Sequence, residues 1–235
     1  LRAIPERWDD GMQAVISHAV LIFNQCREHL TITPKDYHYV YCFCYLPNII
    51  SAFIIDRMDY MNESKKGTLM PLAFEMLESL LHYAETIEGY NPIEGMTSAS
   101  QGYHNRGFLY YKLRRWNEAI SDYQKALDSR RFIYEYMPHK ENKRVIGETL
   151  VNIGAAQLEW CKENHTTEGH DPIDTAKEAL SIYESLYNKD YPLSEVDINK
   201  AKQLIATSYY YIGNSEEKQL GVEIMKEIYA WVIDH

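Results

Sequence analysis

Glycine and proline are scarce in this 235-residue chain, at 11 and 8 residues. That scarcity disfavours short strands joined by tight turns and favours long uninterrupted elements. Strand-like alternation of apolar and polar residues appears nowhere. Cysteine is scarcer still, at four, too few for a disulfide framework. Cys26, Cys42, Cys44 and Cys161 all fall in apolar helical contexts and read as small buried hydrophobes. No glycine-rich loop could cradle a phosphate, because Gly102 and Gly107 lie inside a predicted helix. Cys42 and Cys44, two residues apart, point to different sides of a helix and make no metal pair. His165, His170, Glu168 and Asp171 share a loop but no ligand spacing, and no His is placed beside Cys161 for nucleophilic chemistry. These absences leave an enzyme without support: no catalytic residue, metal or cofactor is expected.

Positive charge is also in deficit. The net charge is −10, which disfavours nonspecific contact with nucleic acid, so none is expected. The imbalance is local in sign, however. Between Arg106 and Arg144 stand ten Lys/Arg against five Asp/Glu, leaving −15 for the remainder. Such a basic stretch is either a receiver for an acidic partner or a solvated face. Residues 1–10 carry charges of both signs and no apolar run, unlike a secretory signal. A reducing cytoplasm is expected. An opening Leu in place of Met is what a piece of a longer protein would show.

One long uncharged run exists, the nineteen residues from Tyr37 to Ile55. A membrane span needs about twenty predominantly apolar residues. Pro47, Asn48, Ser51, His38 and four tyrosines interrupt this one, and its flanks lack a positive side. It reads instead as a helix buried between neighbours, kinked or split at Pro47.

What the chain has in plenty is helical periodicity and tyrosine, 20 residues of it. Tyrosine supplies bulk with a polar tip and suits helix interfaces that end at water. Met12, Val15, Ile16, Ala19, Phe23, Cys26 and Leu30 mark one face of a first helix, from about Asp9 to Leu30. Thr33-Pro34-Lys35-Asp36 starts a second. Asn62 to Gly67 reads as a turn, followed by a helix over Leu69–Ile87 with Pro71 in its first turn. Glu88 to Met96 is the clearest break, with Thr97 or Ser98 capping the next helix. Helices are then predicted over Ser98–Leu113, Trp116–Tyr136, Glu141–Lys162, Pro172–Asn188, Ser194–Ile212 and Ser215–Ile233, the last capped by Ser215. A turn is expected at Lys189–Pro192. The fold is predicted to be all-α, about nine helices in antiparallel pairs. Residues 1–96 form a divergent N-terminal group, and 97–235 form three pairs in one continuous solenoid.

Three windows share a signature of small and bulky residues: Gly107 with Ala119, Tyr123 and Ala126; Gly154 with Ala176, Ala179, Leu180 and Tyr183; Ala206 with Gly221, Met225 and Ile228. Paired helices that pack closely need a small residue at the crossing and bulky ones in the neighbouring grooves. In the first window Tyr103, Gly107, Tyr110, Ala119, Tyr123 and Ala126 resemble a tetratricopeptide repeat. Arg106 stands where that family usually has Leu, and its terminal Pro is missing. The steps, 47 residues from Gly107 to Gly154 and 52 on to Ala206, exceed the family's roughly 34.

The resemblance implies a right-handed superhelix whose concave face binds a protein or peptide segment. Asn105 and Asn152 each lie two residues before a Gly of the signature and are expected to be equivalent amides that hydrogen-bond a peptide backbone, since an amide both donates and accepts. Tying adjacent helices together is the other use such amides have. Gln101, His104, Phe108, Lys112, Glu148 and Gln203 join them as groove residues by register. The function expected is a non-catalytic peptide-binding scaffold. A peptide-sensing regulatory domain of a larger bacterial transcription regulator or effector is the alternative by analogy, and a homodimer formed through Tyr37–Ile55 is a third.

Overall fold

The computed structural model describes residues 6–33, 36–89, 91–188 and 193–234. Among these it is all-α, with nine helices: α1 (Glu6–Ile32), α2 (Tyr37–Arg57), α3 (Glu63–Glu88), α4 (Pro92–Lys112), α5 (Trp116–Tyr136), α6 (Lys140–Asn164), α7 (Pro172–Leu186), α8 (Leu193–Ile212) and α9 (Ser215–Asp234). A 3-10 turn at Met58–Tyr60 follows α2, and no strand occurs among the described residues. Consecutive helices pack on one another, α1 on α2, α2 on α3, and α5 through α9 in series, the arrangement of a tetratricopeptide-like helical solenoid. Contacts divide the chain into two compact units, residues 1–105 and 106–235, so α4 contributes to both.

In the first unit, α1 buries Ile16, Ala19, Phe23, Cys26 and Leu30. Val15, expected on that face, is 64% exposed, and the side chain of Met12 lies outside the described residues, as do Pro34 and Lys35 of the expected helix start. Phe23 stacks on Phe43 of α2 at 4.8 Å, and Phe43 meets Tyr83 of α3 edge-on at 5.0 Å. The expected kink or split at Pro47 does not occur as a break: α2 is one helix with Pro47 inside it and buried. Contact with both α1 and α3 holds the helix across the one missing backbone donor. The same two-sided packing leaves a third stripe open. Cys42 is therefore exposed and Cys44 half-buried, whereas Cys26 and Cys161 are buried as expected.

Polar residues that read as turns account for the other boundary corrections. Asn62 does not belong to a loop that runs to Gly67. Its side chain accepts from Lys65 N at 2.9 Å and caps α3, which starts at Glu63. Pro71 thus sits well inside the helix, tolerated with its ring exposed. The break after α3 is also shorter than its Gly, Asn and Pro suggest. Pro92 is the first residue of α4, Asn91 Oδ1 accepts from Glu94 N, and the Thr97 hydroxyl bonds Ile93 O within the helix instead of capping it. Gly95 serves a close crossing: a Cβ there would lie 2.5 Å from the Glu88 backbone.

The second unit is built on the end of α4 and on α5–α9. The corner after α4 turns through Arg114 in the left-handed region (φ 59°), with Arg115 N donating to Tyr110 O. Asp171 Oδ1 accepts from Asp174 N at 2.9 Å ahead of Pro172 and caps α7. At α9 the cap is Asn214, whose Oδ1 accepts from Glu216 N and Glu217 N, and not Ser215. The Lys189–Pro192 turn lies outside the described residues. Ala119, Tyr123, Leu127, Ile146, Leu150, Ile153, Ala156, Ala179, Tyr183 and Ala201 form one continuous core across α5–α8.

Candidate peptide-binding surface

Helix crossings set the register from which any surface must be read. A Cβ on Gly107 would meet the Tyr123 ring at 2.9 Å, and a Cβ on Gly147 would meet the Tyr183 ring at 2.8 Å. These are the same contact, a glycine of the first helix of a pair under a tyrosine of the second. Ala119 lies four residues before Tyr123 and Ala179 four before Tyr183, and both are fully buried. The first step of the repeat is therefore forty residues, Gly107 to Gly147, not 47. Gly154, the residue expected at this place, packs instead against Leu204 of α8 and the first turn of α7. With the corrected register Asn105 is level with Val145. Asn152 is level with Lys112, and Glu148 with Phe108. The two amides are not equivalent.

Their environments differ accordingly. Asn105 Nδ2 donates to both Asn48 O (3.2 Å) and Asn48 Oδ1 (2.7 Å) of α2. Asn48 in turn donates to Gln101 Oε1. Gln101, Asn105 and Asn48 thus form an amide cluster that ties α4 to α2 inside the first unit, with His104 half-buried on the same helix. Sequence reasoning misses Asn48 as a member of this cluster. A polar residue directly after proline in the most apolar run of the chain is the signal that could find it.

In the second unit Phe108 stacks on Tyr111 at 6.5 Å, and the Lys112 ammonium lies 5.6 Å from the Phe108 ring. Tyr111 meets Trp116 edge-on at 5.2 Å, and burial together with the nearby Glu159 carboxylate raises the Tyr111 hydroxyl pKa. Glu148 is half-buried close to Tyr123, Tyr183 and Arg130. Asn152 is half-buried, and its amide makes no hydrogen bond to the described residues; Gln203 is exposed on α8.

The basic window has a structural answer. Arg106 donates to both oxygens of the buried Asp122 (2.6 and 3.0 Å), Arg114 to Glu163 (2.6 Å), Arg131 to Glu178 (2.7 Å) and Arg144 to Asp197 (2.7 Å). Three of the four acids lie 47 to 53 residues further on, in α6, α7 and α8. These arginines answer acids of the following helices. Glu163 also accepts from Trp116 Nε1 at 2.7 Å, pinning the α4–α5 corner to the end of α6. Arg106 replaces the usual leucine by an ion pair in which both carboxylate oxygens are satisfied.

Among the described residues no group of three His, Cys, Asp or Glu could hold a metal, and no helix is long and apolar enough to cross a membrane. The family model for the tetratricopeptide repeat matches residues 100–130, the span of the Gly107–Tyr123 crossing. Neither the curated proteins nor the solved structures yield a match. The chain is thus an all-α protein that carries a tetratricopeptide repeat. Repeats of this family generally mediate protein interaction and not catalysis.

Proposed function

We propose that this chain is a cytoplasmic, non-catalytic scaffold that binds an extended peptide segment through the second unit, with Asn152 reading the peptide backbone. The observation that carries this reading is the contrast between the two amides. Asn105 is engaged by Asn48, whereas Asn152 is partly open to solvent and its amide makes no hydrogen bond to the described residues, so it can both donate and accept. Glu148 and Asn152 lie one turn apart on α6, and Phe108 and Lys112 occupy the same two levels on α4. This gives a surface with one acid, one base, one aromatic ring and one amide, able to orient a peptide by its side chains while the amide holds its main chain. Gln203 of α8 extends the same chemistry. Four free thiols fit a reducing compartment.

The test is selection of a displayed random peptide library on the full chain, followed by titration of a selected peptide. Asn152→Ala is expected to weaken binding by about tenfold, the loss of one or two buried hydrogen bonds, with the melting curve unchanged. Asn105→Ala is expected to lower stability without changing the affinity of the folded protein. Selected peptides that bind Asn152→Ala as tightly as the parent would end this reading.

A further inference from the structure

We propose that Cys26 of α1 and Cys42 of α2 form a dithiol modification site, which a hydroperoxide oxidises to a reversible disulfide within the chain. The site lies in the first unit and shares no residue with the peptide surface of the second, so it stands apart from that reading.

Helix packing brings the two sulfurs together. α1 and α2 pack on each other with their turns in antiparallel register. His29 stacks on Tyr39 at 3.7 Å, and Phe23 stacks on Phe43 at 4.8 Å. One helical turn from the His29–Tyr39 contact, back along α1 and forward along α2, stand Cys26 and Cys42. Their thiols are within hydrogen-bonding reach of each other. The aromatic contacts on either side hold this level of the interface in place, so the sulfurs meet without a rearrangement of the helices.

The two thiols are unequal. Cys26 is 4% exposed, whereas Cys42 is exposed. Burial, together with the neighbouring Cys42, raises the Cys26 pKa and keeps Cys26 a protonated thiol. An oxidant in solution therefore meets Cys42 first, with Cys26 behind it as the resolving thiol, the arrangement that suits reversible oxidation. As thiolate, Cys42 attacks one peroxide oxygen. An S–O bond forms, the O–O bond breaks, and the departing hydroxide takes up a proton and leaves as water. The Cys26 sulfur then attacks the Cys42 sulfenic sulfur and gives up its proton. The S–S bond forms, the S–O bond breaks, and a second water leaves. The pair of thiols loses two electrons and the peroxide gains them. Reduction by an external dithiol restores both thiols. Cys44, which hydrogen-bonds Ser98, and Cys161, buried near Asp171, are the internal controls.

The experiment treats the reduced full chain with a slight molar excess of hydrogen peroxide, blocks the remaining thiols and maps the peptides by mass spectrometry without reduction. A link between the Cys26 and Cys42 peptides of one chain is expected, complete before Cys44 or Cys161 is lost and reversed by dithiothreitol. Cys42→Ser, at an exposed position, is expected to abolish the link and to slow the loss of the Cys26 thiol by about tenfold. Cys26→Ala is expected to leave Cys42 as a sulfenic acid that dimedone captures. The proposal is overturned if Cys42 links to a second chain instead, if Cys44 or Cys161 oxidises as fast, or if Cys26 is lost at the parental rate in Cys42→Ser. The last two outcomes do not depend on how Cys26→Ala folds.

Discussion

Glycines in this chain divide by what a methyl group would meet. At Gly107 the three nearest atoms to an added Cβ belong to the Tyr123 ring, at 2.9 to 3.2 Å, and Tyr123 is itself 1% exposed, with nowhere to move. Gly107→Ala therefore overpacks the crossing, and a loss of about 1–3 kcal/mol is expected in urea unfolding. Gly147→Ala, under Tyr183, is expected to cost a similar amount. Gly67 is the contrasting case. It lies within α3, exposed, with nothing within 4 Å of an added Cβ. Gly67→Ala should stabilise by about 0.5–1 kcal/mol, because alanine gives up less backbone freedom in a helix. A destabilised Gly67→Ala, or a Gly107→Ala with parental stability, would contradict the crossing geometry. Residue identity alone distinguishes none of these: Gly67 reads as a turn residue in the sequence, and Gly107 and Gly147 sit in amphipathic helical sequence.

At the scale of elements, helix existence and order are legible in the sequence because periodicity is carried by many residues at once: α5 spans Trp116–Tyr136, as its pattern predicts. Caps and crossings are less legible because each rests on one or two atoms. Asn62 and Asn91 read equally well as turn residues, and only the bonds to Lys65 N and Glu94 N distinguish a cap from a loop. The register of the second repeat is hidden for a related reason. Gly147 and Gly154 lie two turns apart on α6, both small, and the sequence does not say which one lies under Tyr183. Choosing Gly154 pairs Asn152 with Asn105, although its level is that of Lys112. Arg106 shows how a departure from a family pattern is absorbed between elements. Its partner Asp122 is 3% exposed on α5, so Asp122→Ala removes both hydrogen bonds of a half-buried ion pair and is expected to cost about 3–5 kcal/mol. Arg106→Leu with Asp122→Leu removes both charges and restores the apolar residue the family uses; that pair is expected to fall within about 1–2 kcal/mol of the parent or above it. Thermal and urea unfolding of the single and double variants checks both numbers, and equal losses in the two would show that the pair packs by shape and not by charge.

For the whole molecule, the decisive question is whether the net-basic window acts as a surface. Ten cations against five acids between Arg106 and Arg144 look, in the sequence, like a patch that an acidic partner would recognise. In the structure Arg106, Arg114, Arg131 and Arg144 each hold a carboxylate at 2.6 to 2.7 Å, and Arg115 holds Glu118 at 2.8 Å. Their positive charge is matched locally, and the remaining field of the chain is that of a protein with net charge −10. The chain is therefore expected to pass through a heparin column unretained at about 0.1 M salt, where the screening length is roughly 10 Å and only a concentrated cationic face would hold. Two charge-matched variants separate pairing from total charge. Glu163→Gln together with Glu178→Gln removes the acids opposite Arg114 and Arg131, both of which are exposed, and lowers the net negative charge by two. If matched pairing is what silences the window, the double variant elutes later than the parent in a salt gradient. It should also elute later than a variant in which two acids that form no ion pair with the described residues, Glu216 and Glu227 of α9, are replaced by Gln for the same change in net charge. Equal shifts in the two variants would mean that total charge, and not the pairing of these arginines, governs how the molecule meets a polyanion.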